Sequence, residues 1–247
     1  MNDLRMPKMI LFDYGQTLIG CLEWNSMRGR EALMPYITRN PRGLSAQEID
    51  DFTRELYAKL CVPVREMGRE LHEHQFLRAV NGLLPLEYSI PEAEQERILY
   101  IHRLTLAPMP HVQELLALLR GLGIRMAVVS NLQPSERELR RRISENLPGH
   151  EFEFIIASSE YGVRKPDPLI FQLALAKANL APEDIWFCGD NPRCDVEGAH
   201  AAGMFPVWYE ELTVEDPWHD AGAAVPACPH LHIHGWRELI EILKDLS

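Results

Sequence analysis

Several polar residues stand where apolar runs of the chain stop. Asp13 follows Met9-Ile-Leu-Phe12, Ser130 and Asn131 follow Ile124–Val129, and Asp190 follows Ile185-Trp-Phe-Cys-Gly189. Asp195 lies a few residues beyond, and Lys165 sits in the loop Val163-Arg-Lys-Pro-Asp-Pro168. Each type answers one need of phosphoryl transfer. A carboxylate can attack phosphorus and carry the phosphoryl group. Two further carboxylates can complete an oxygen-rich site of the kind Mg²⁺ takes. A small hydroxyl with neighbouring amides can hold non-bridging oxygens, and an ammonium can offset charge on nucleophile and phosphate.

These groups need a scaffold that brings them to one place. Met9–Phe12 is apolar throughout, as in a strand covered on both faces, and Gly15 is expected to let the chain turn sharply after Asp13. Between about Glu23 and Leu106 no strand pattern is evident, only helical segments with turn signals at Asn40-Pro-Arg-Gly43, Asn81-Gly82 and Pro91. Ser45-Ala-Gln-Glu48 has the form of a capping box opening a helix with Leu56 and Leu60 on its stripe.

Strands and helices then alternate. Helices are expected at His111–Gly121, Pro134–Asn146, Leu169–Ala178 and around Val196–Ala202, with strands at Ile124–Val129, Phe152–Ile156, Ile185–Cys188 and Met204–Trp208. The order predicts an α/β fold: a parallel sheet between helical layers, joined by right-handed crossovers. Ala223–Pro229 reads as a loop and Trp236–Leu246 as a final helix. The expected division is a core of residues 1–22 and 107–247 with a helical cap over 23–106.

The chain has 247 residues, 46% of them hydrophobic, with a formal net charge of −11. That charge repels a phosphate backbone, so nucleic acid is an unfavourable partner. No apolar run reaches membrane-spanning length, and Met1-Asn-Asp-Leu-Arg lacks the pattern of a secretory leader, so a cytoplasmic location without membrane contact is expected. The five cysteines are scattered, with no CxxC pair, which fits reduced thiols.

Read together, FDYGQTL around Asp13, VVSN at Ser130–Asn131, VRKPDP at Lys165 and GDNPRCDVEGAHAAGM with Asp190 and Asp195 resemble the four motifs of the haloacid dehalogenase-like (HAD) hydrolase superfamily. The resemblance covers nearly the whole chain. It implies a Rossmann-like three-layer core with a helical cap inserted after the first motif. It also implies Asp13 as nucleophile, with Asp13, the Gly15 carbonyl and Asp190 as Mg²⁺ ligands and Asp195 behind a metal-bound water. Ser130 and Lys165 would bind phosphate, with Asn131 beside them. The expected substrate is a small phosphorylated metabolite, handled by a monomer or homodimer.

The departures from the family pattern matter too. Phosphatases of this superfamily usually carry a second Asp two residues after the nucleophile; that position is Gly15 here, leaving no side chain to donate a proton. In an enzyme Gln16 or Tyr14 could orient water, or either could be a packing or surface residue. The alternatives are a non-catalytic or weakly catalytic phospho-ligand binder and, less favoured, a 2-haloacid dehalogenase. Dehalogenases of the family carry Ser-Asn where this chain has Gly189-Asp190, which favours phosphoryl chemistry. Lys59, the clear cap lysine, reads as solvated rather than imine-forming. His72 and His74 read as exposed. His230-Leu-His232-Ile-His234 alternates, so in a strand the three imidazoles would share one face and could hold a transition metal.

Overall fold

The computed structural model describes residues 4–211 and 225–247. In chain order, β1 (Met9–Phe12) and β2 (Ile19–Trp24) come first. The chain then builds α1 (Ser26–Leu33), β3 (Ile37–Arg39), α2 (Ala46–Glu66), α3 (Glu73–Leu83), β4 (Glu87–Tyr88) and α4 (Glu92–Arg103), before β5 (Leu104–Pro108) returns antiparallel to β2. Next come α5 (Val112–Gly121), β6 (Arg125–Ser130), α6 (Glu136–Asn146), β7 (Ile155–Ala157), α7 (Ser158–Tyr161) and α8 (Pro168–Ala178). The remainder is β8 (Ile185–Gly189), α9 (Gly198–Ala201), β9 (Phe205–Tyr209), β10 (Leu231–Ile233) and α10 (Trp236–Leu246).

The main sheet runs β10-β9-β8-β1-β6-β7, every pairing parallel. β1 lies inside it, Phe12 in register with Val128 on one side and Cys188 on the other. Its continuous apolar run follows from having both faces covered. Met9 and Leu11 pack with Ile170, Phe171 and Ala174 of α8. Ile10 and Phe12 pack with Leu115 of α5, Ile143 of α6 and Leu239 of α10 on the opposite face. Period-two alternation thus sorts one strand between two helical layers.

Several expectations change in detail. The segment from Glu23 to Leu106 is not free of strands: β2 and β5 form a ribbon leaving and re-entering the sheet, and β3 pairs with β4. These strands are short and largely solvent-facing, so they carry no apolar run to read. The third core strand begins at Ile155 rather than Phe152, whose ring is instead turned onto Phe12 at 6.2 Å between centroids. Before α9 the chain makes a wider, π-helical turn over Pro192–Glu197. The Ser45–Glu48 capping box forms as expected, with Ser45 N–H donating to Glu48 Oε2 at 2.8 Å and Glu48 N–H to Ser45 Oγ at 3.3 Å. The expected loop 223–229 falls partly outside the described residues, as does the start of the Met1–Arg5 stretch. Among the described residues no helix is long and apolar enough to cross a membrane.

The helices between β2 and β5 enclose small cores of their own, one around Ile49, Phe76 and Val80 and another around Leu33, Leu77 and Leu99. They dock on the loops beyond β6 and β7. Glu73 N–H donates to the Gln133 carbonyl at 3.0 Å, and Ser135 gives Glu96 both its N–H, at 2.7 Å, and its hydroxyl, at 2.6 Å. Glu70 is the principal polar tie. Its buried carboxylate accepts from Arg65 Nε at 3.0 Å, Ser158 Oγ at 3.0 Å and Arg164 Nη1 at 2.6 Å. Glu70→Ala is expected to cost about 3 kcal/mol, the low end for breaking a buried pair because both guanidiniums keep some solvent. Urea unfolding checks it: a midpoint within error of the native chain would remove Glu70 from this role.

Candidate active site

The site forms at the carboxyl ends of β1, β6 and β8, where open parallel sheets place ligands because the strands diverge into loops there. Asp13 stands one residue past β1, Ser130 closes β6, and Asp190 follows β8. Lys165 arrives from the loop after α7 and Asp195 from the π-helical turn. Asp13, Ser130, Lys165 and Asp195 are all buried.

Lys165 is the hub. Its Nζ lies 2.5 Å from Asp13 Oδ1, 2.6 Å from Asp195 Oδ1 and 2.8 Å from the Val129 carbonyl, above the face of Phe187 at 5.0 Å. Burial alone would depress the ammonium, but the two carboxylates more than offset it and hold Lys165 above the ordinary lysine range. Burial pushes the Asp13 carboxyl up to about 6, against the downward pull of Lys165. Asp190 is pushed well above the usual carboxylate range by burial, then by the charges of Asp13 and Asp195.

Asp13, Asp190 and Asp195 each bring an oxygen within 4.8 Å of the others. Three carboxylates against one ammonium leave an excess of negative charge in a buried place, and all the donors are hard oxygens. The set therefore fits a small divalent cation of the Mg²⁺ type, which would relieve that repulsion.

Other residues orient these groups. Asn131 clamps the lysine loop, Oδ1 accepting from Lys165 N–H at 2.7 Å and Nδ2 donating to the Lys165 carbonyl at 2.9 Å. Its amide is thus engaged in positioning Lys165, although the residue also lines the cavity. Thr17, which the sequence reading did not single out, donates to Asp190 Oδ1 at 2.9 Å and accepts from Trp236 Nε1 at its carbonyl at 3.1 Å. In the sequence Thr17 is marked only as a threonine directly before the apolar pair Leu18-Ile19; its full burial emerges in the fold. Gly189 is needed for close approach, since a Cβ there would lie 2.4 Å from the Asp195 side chain.

Gly15 differs from expectation. Its backbone is outside the left-handed region, and the positive φ of this turn, 55°, belongs to Gln16. A Cβ at Gly15 would meet nothing within 4 Å, so neither strain nor crowding requires glycine.

A cavity of about 770 Å³ opens over these strand ends, walled on its far side by Arg54, Tyr57, Arg65, Glu73 and Arg103 from between β2 and β5. Glu73, between two histidines at the start of α3, joins that wall without any local pattern to mark it. It is buried, accepts from Tyr100 Oη at 3.1 Å, and is held above the usual carboxylate range by burial. Flanking it, His72 caps α3 through Nδ1 and His74 Nε2 meets Glu96 Oε2 at 3.1 Å, so both are partly covered scaffold residues rather than exposed ones. Lys59 is exposed, 3.7 Å from Glu55, as its helical face suggested. The cysteines are free thiols.

A family model described as haloacid dehalogenase-like hydrolase matches residues 7–203, which includes every strand-end group above. The chain belongs to the haloacid dehalogenase-like hydrolases. It is similar to a phosphoserine phosphatase of Thermus thermophilus, 36% identical over 53% of this chain and 49% of that one, so that match spans about half the relative's length. It is also similar to a glyceraldehyde 3-phosphate phosphatase of Methanopyrus kandleri, 29% identical over 98% and 99% of the two chains. Among solved structures, a 2-haloacid dehalogenase of Pseudomonas syringae pv. Tomato shares the fold with a TM-score of 0.60 at 21% identity, covering 98% and 100% of the chains. The chain is thus a hydrolase of a family whose relatives include phosphatases.

Proposed function

We propose that this HAD-like hydrolase is a Mg²⁺-dependent phosphatase acting on a small phosphorylated metabolite through an aspartyl phosphate on Asp13. The observation carrying this reading is the buried cluster of Asp13, Lys165, Asp190 and Asp195 at the strand ends. An attacking carboxylate needs neutralisation when it meets an anion, and Lys165 touches Asp13 from the start. Asp13, the Gly15 carbonyl and Asp190 would hold the cation, with Asp195 behind them. When bound, it would supply positive charge against the phosphate. Ser130 and its neighbouring amides would hold non-bridging oxygens, while Asn131 keeps the Lys165 loop in place. Residues 23–106 would act as a helical cap that sets substrate choice and excludes water.

The testing experiment is a screen of phosphorylated metabolites with Mg²⁺ present and with excess chelator. Turnover undiminished by chelator would end the Mg²⁺ reading, and no turnover of any phosphoester would end the phosphatase reading.

Gly15 makes a sharper prediction. Without a carboxylic acid there, departure of the alcohol depends on its own stability, so aryl and acyl phosphates should outpace alkyl phosphates. The open space around Gly15 makes Gly15→Asp a clean test. Positioned proton transfer contributes roughly 10²–10⁴-fold, and part of that gain should appear for alkyl phosphates and much less for aryl phosphates. Rates measured against leaving-group pKa check it; a flat dependence in the native chain would mean that another group already donates the proton.

A further inference from the structure

The histidine alternation near the C-terminus becomes a defined cluster in the folded chain, at the ends of β9 and β10 on the far side of Trp208 from Asp190. β10 is an edge strand pairing with β9, and Glu210 N–H donates to the Ile233 carbonyl at 2.9 Å, which fixes Glu210 beside the His232–His234 turn. Glu210 Oε2 lies 2.9 Å from His232 Nε2 and 3.6 Å from His234 Nδ1. Donor atoms of all three residues lie within 4.8 Å of one another.

We propose that Glu210, His232 and His234 form a binding site for one divalent transition-metal ion of the zinc type at the sheet edge. The spacing carries the argument. At 3.6 Å the His234 contact is too long for a hydrogen bond, so Glu210 hydrogen-bonds His232 and leaves the facing His234 nitrogen without a hydrogen bond from it. Ligands on one tetrahedral ion with bonds of about 2.0–2.2 Å stand about 3.3–3.6 Å apart. The His234–Glu210 separation of 3.6 Å already has that value, and the His232–Glu210 pair, at the hydrogen-bond distance of 2.9 Å, would open by a few tenths of an ångström as an ion replaces the shared proton. Two imidazoles and a carboxylate leave a fourth position for water. Imidazole donors select Zn²⁺, Co²⁺, Ni²⁺ or Cu²⁺ over Mg²⁺, which separates this site from the all-oxygen cluster around Asp13.

The donors are held in place before any ion arrives. The His232 ring lies flat on Trp208, 3.9 Å between centroids at 12°, and His234 N–H donates to Glu238 Oε2 at 3.3 Å. His230 stands outside the trio, its Nδ1 2.8 Å from the Cys228 carbonyl and its ring 6.2 Å from that of His232. The notion of three imidazoles as ligands is thus corrected to two imidazoles and one carboxylate. An ion bound here would tie β10 to β9 directly ahead of α10. Trp208, which donates Nε1–H to the Asp190 carbonyl at 3.2 Å, would sense it through its stacked partner.

The experiment titrates the full chain, in excess Mg²⁺, with Zn²⁺ by calorimetry and with Co²⁺ by visible absorption. The expected result is uptake of one ion, with Zn²⁺ displacing Co²⁺. His234→Ala and Glu210→Gln should each weaken uptake by at least the roughly 10–100-fold known for losing an outer-shell partner, and Asp190→Asn should leave it unchanged. His232→Ala would also remove the ring stacked on Trp208, so the decision rests on the other two variants, with circular dichroism confirming their fold. No uptake by the native chain, uptake indifferent to both variants, or uptake lost only in Asp190→Asn would each overturn the proposal.

Discussion

Asp13→Asn should leave the protein folded and reduce phosphoester turnover by roughly 10³-fold or more, because the amide cannot form the acyl phosphate on which the proposed cycle depends. The side chain keeps its shape. Lys165 keeps Asp195 at 2.6 Å and the Val129 carbonyl at 2.8 Å, so the ammonium is not stranded. Burial already disfavours the ionised Asp13, so a neutral amide should hold or raise the melting temperature. Two measurements decide the matter: a melting curve at or above the native one, and a rate at background. Substantial turnover in a folded variant would place the nucleophile elsewhere.

Lys165→Met should damage both stability and catalysis. Lys165 is fully enclosed between Asp13 and Asp195, and removing it leaves three nearby carboxylates with no cation among them. Breaking a buried pair in this way costs about 3–5 kcal/mol, and at about 2–4 °C per kcal/mol for a chain of this size the melting temperature should fall by roughly 6–20 °C. Turnover should drop by roughly 10²–10³-fold at least, the usual loss for one preorganised charge at a reacting centre. Added Mg²⁺ should raise the melting temperature of Lys165→Met more than that of the native chain, since a cation among the carboxylates would replace part of the missing charge. Equal Mg²⁺ shifts in the two proteins would argue that the ion does not bind beside Lys165.

Much of the frame was legible in the sequence because it depends on local pattern. Met9–Phe12, Met126–Val129 and Ile185–Gly189 are buried on both faces, so each reads as an unbroken apolar run with a polar residue at its end. The Ser45–Glu48 capping box and the α10 stripe were equally readable, since their partners lie within a turn or two. The short strands β3 and β4 were not, because two or three residues set no period. Local pattern predicts the turn after Asp13 but not which of its residues takes the unusual conformation. Glycine is the usual bearer of a positive φ, yet Gln16 adopts it and Gly15 does not.

Adjacent residues alone encode the alternation that makes a parallel sheet and the strand ends at which Asp13, Ser130 and Asp190 stand. Which of these groups meet depends on the folded arrangement. Lys165 joins Asp13 and Asp195, Thr17 reaches Asp190 while Trp236 holds its carbonyl, and Glu70 links Arg65 to Arg164. In the same way Glu210 comes to face His232 and His234. Periodicity and capping act over a few residues and leave their mark in adjacent letters. A buried ion pair or a cluster of donors depends on crossovers that bring distant loops to one edge of the sheet, where lost hydration forces charges to find partners that no local pattern encodes.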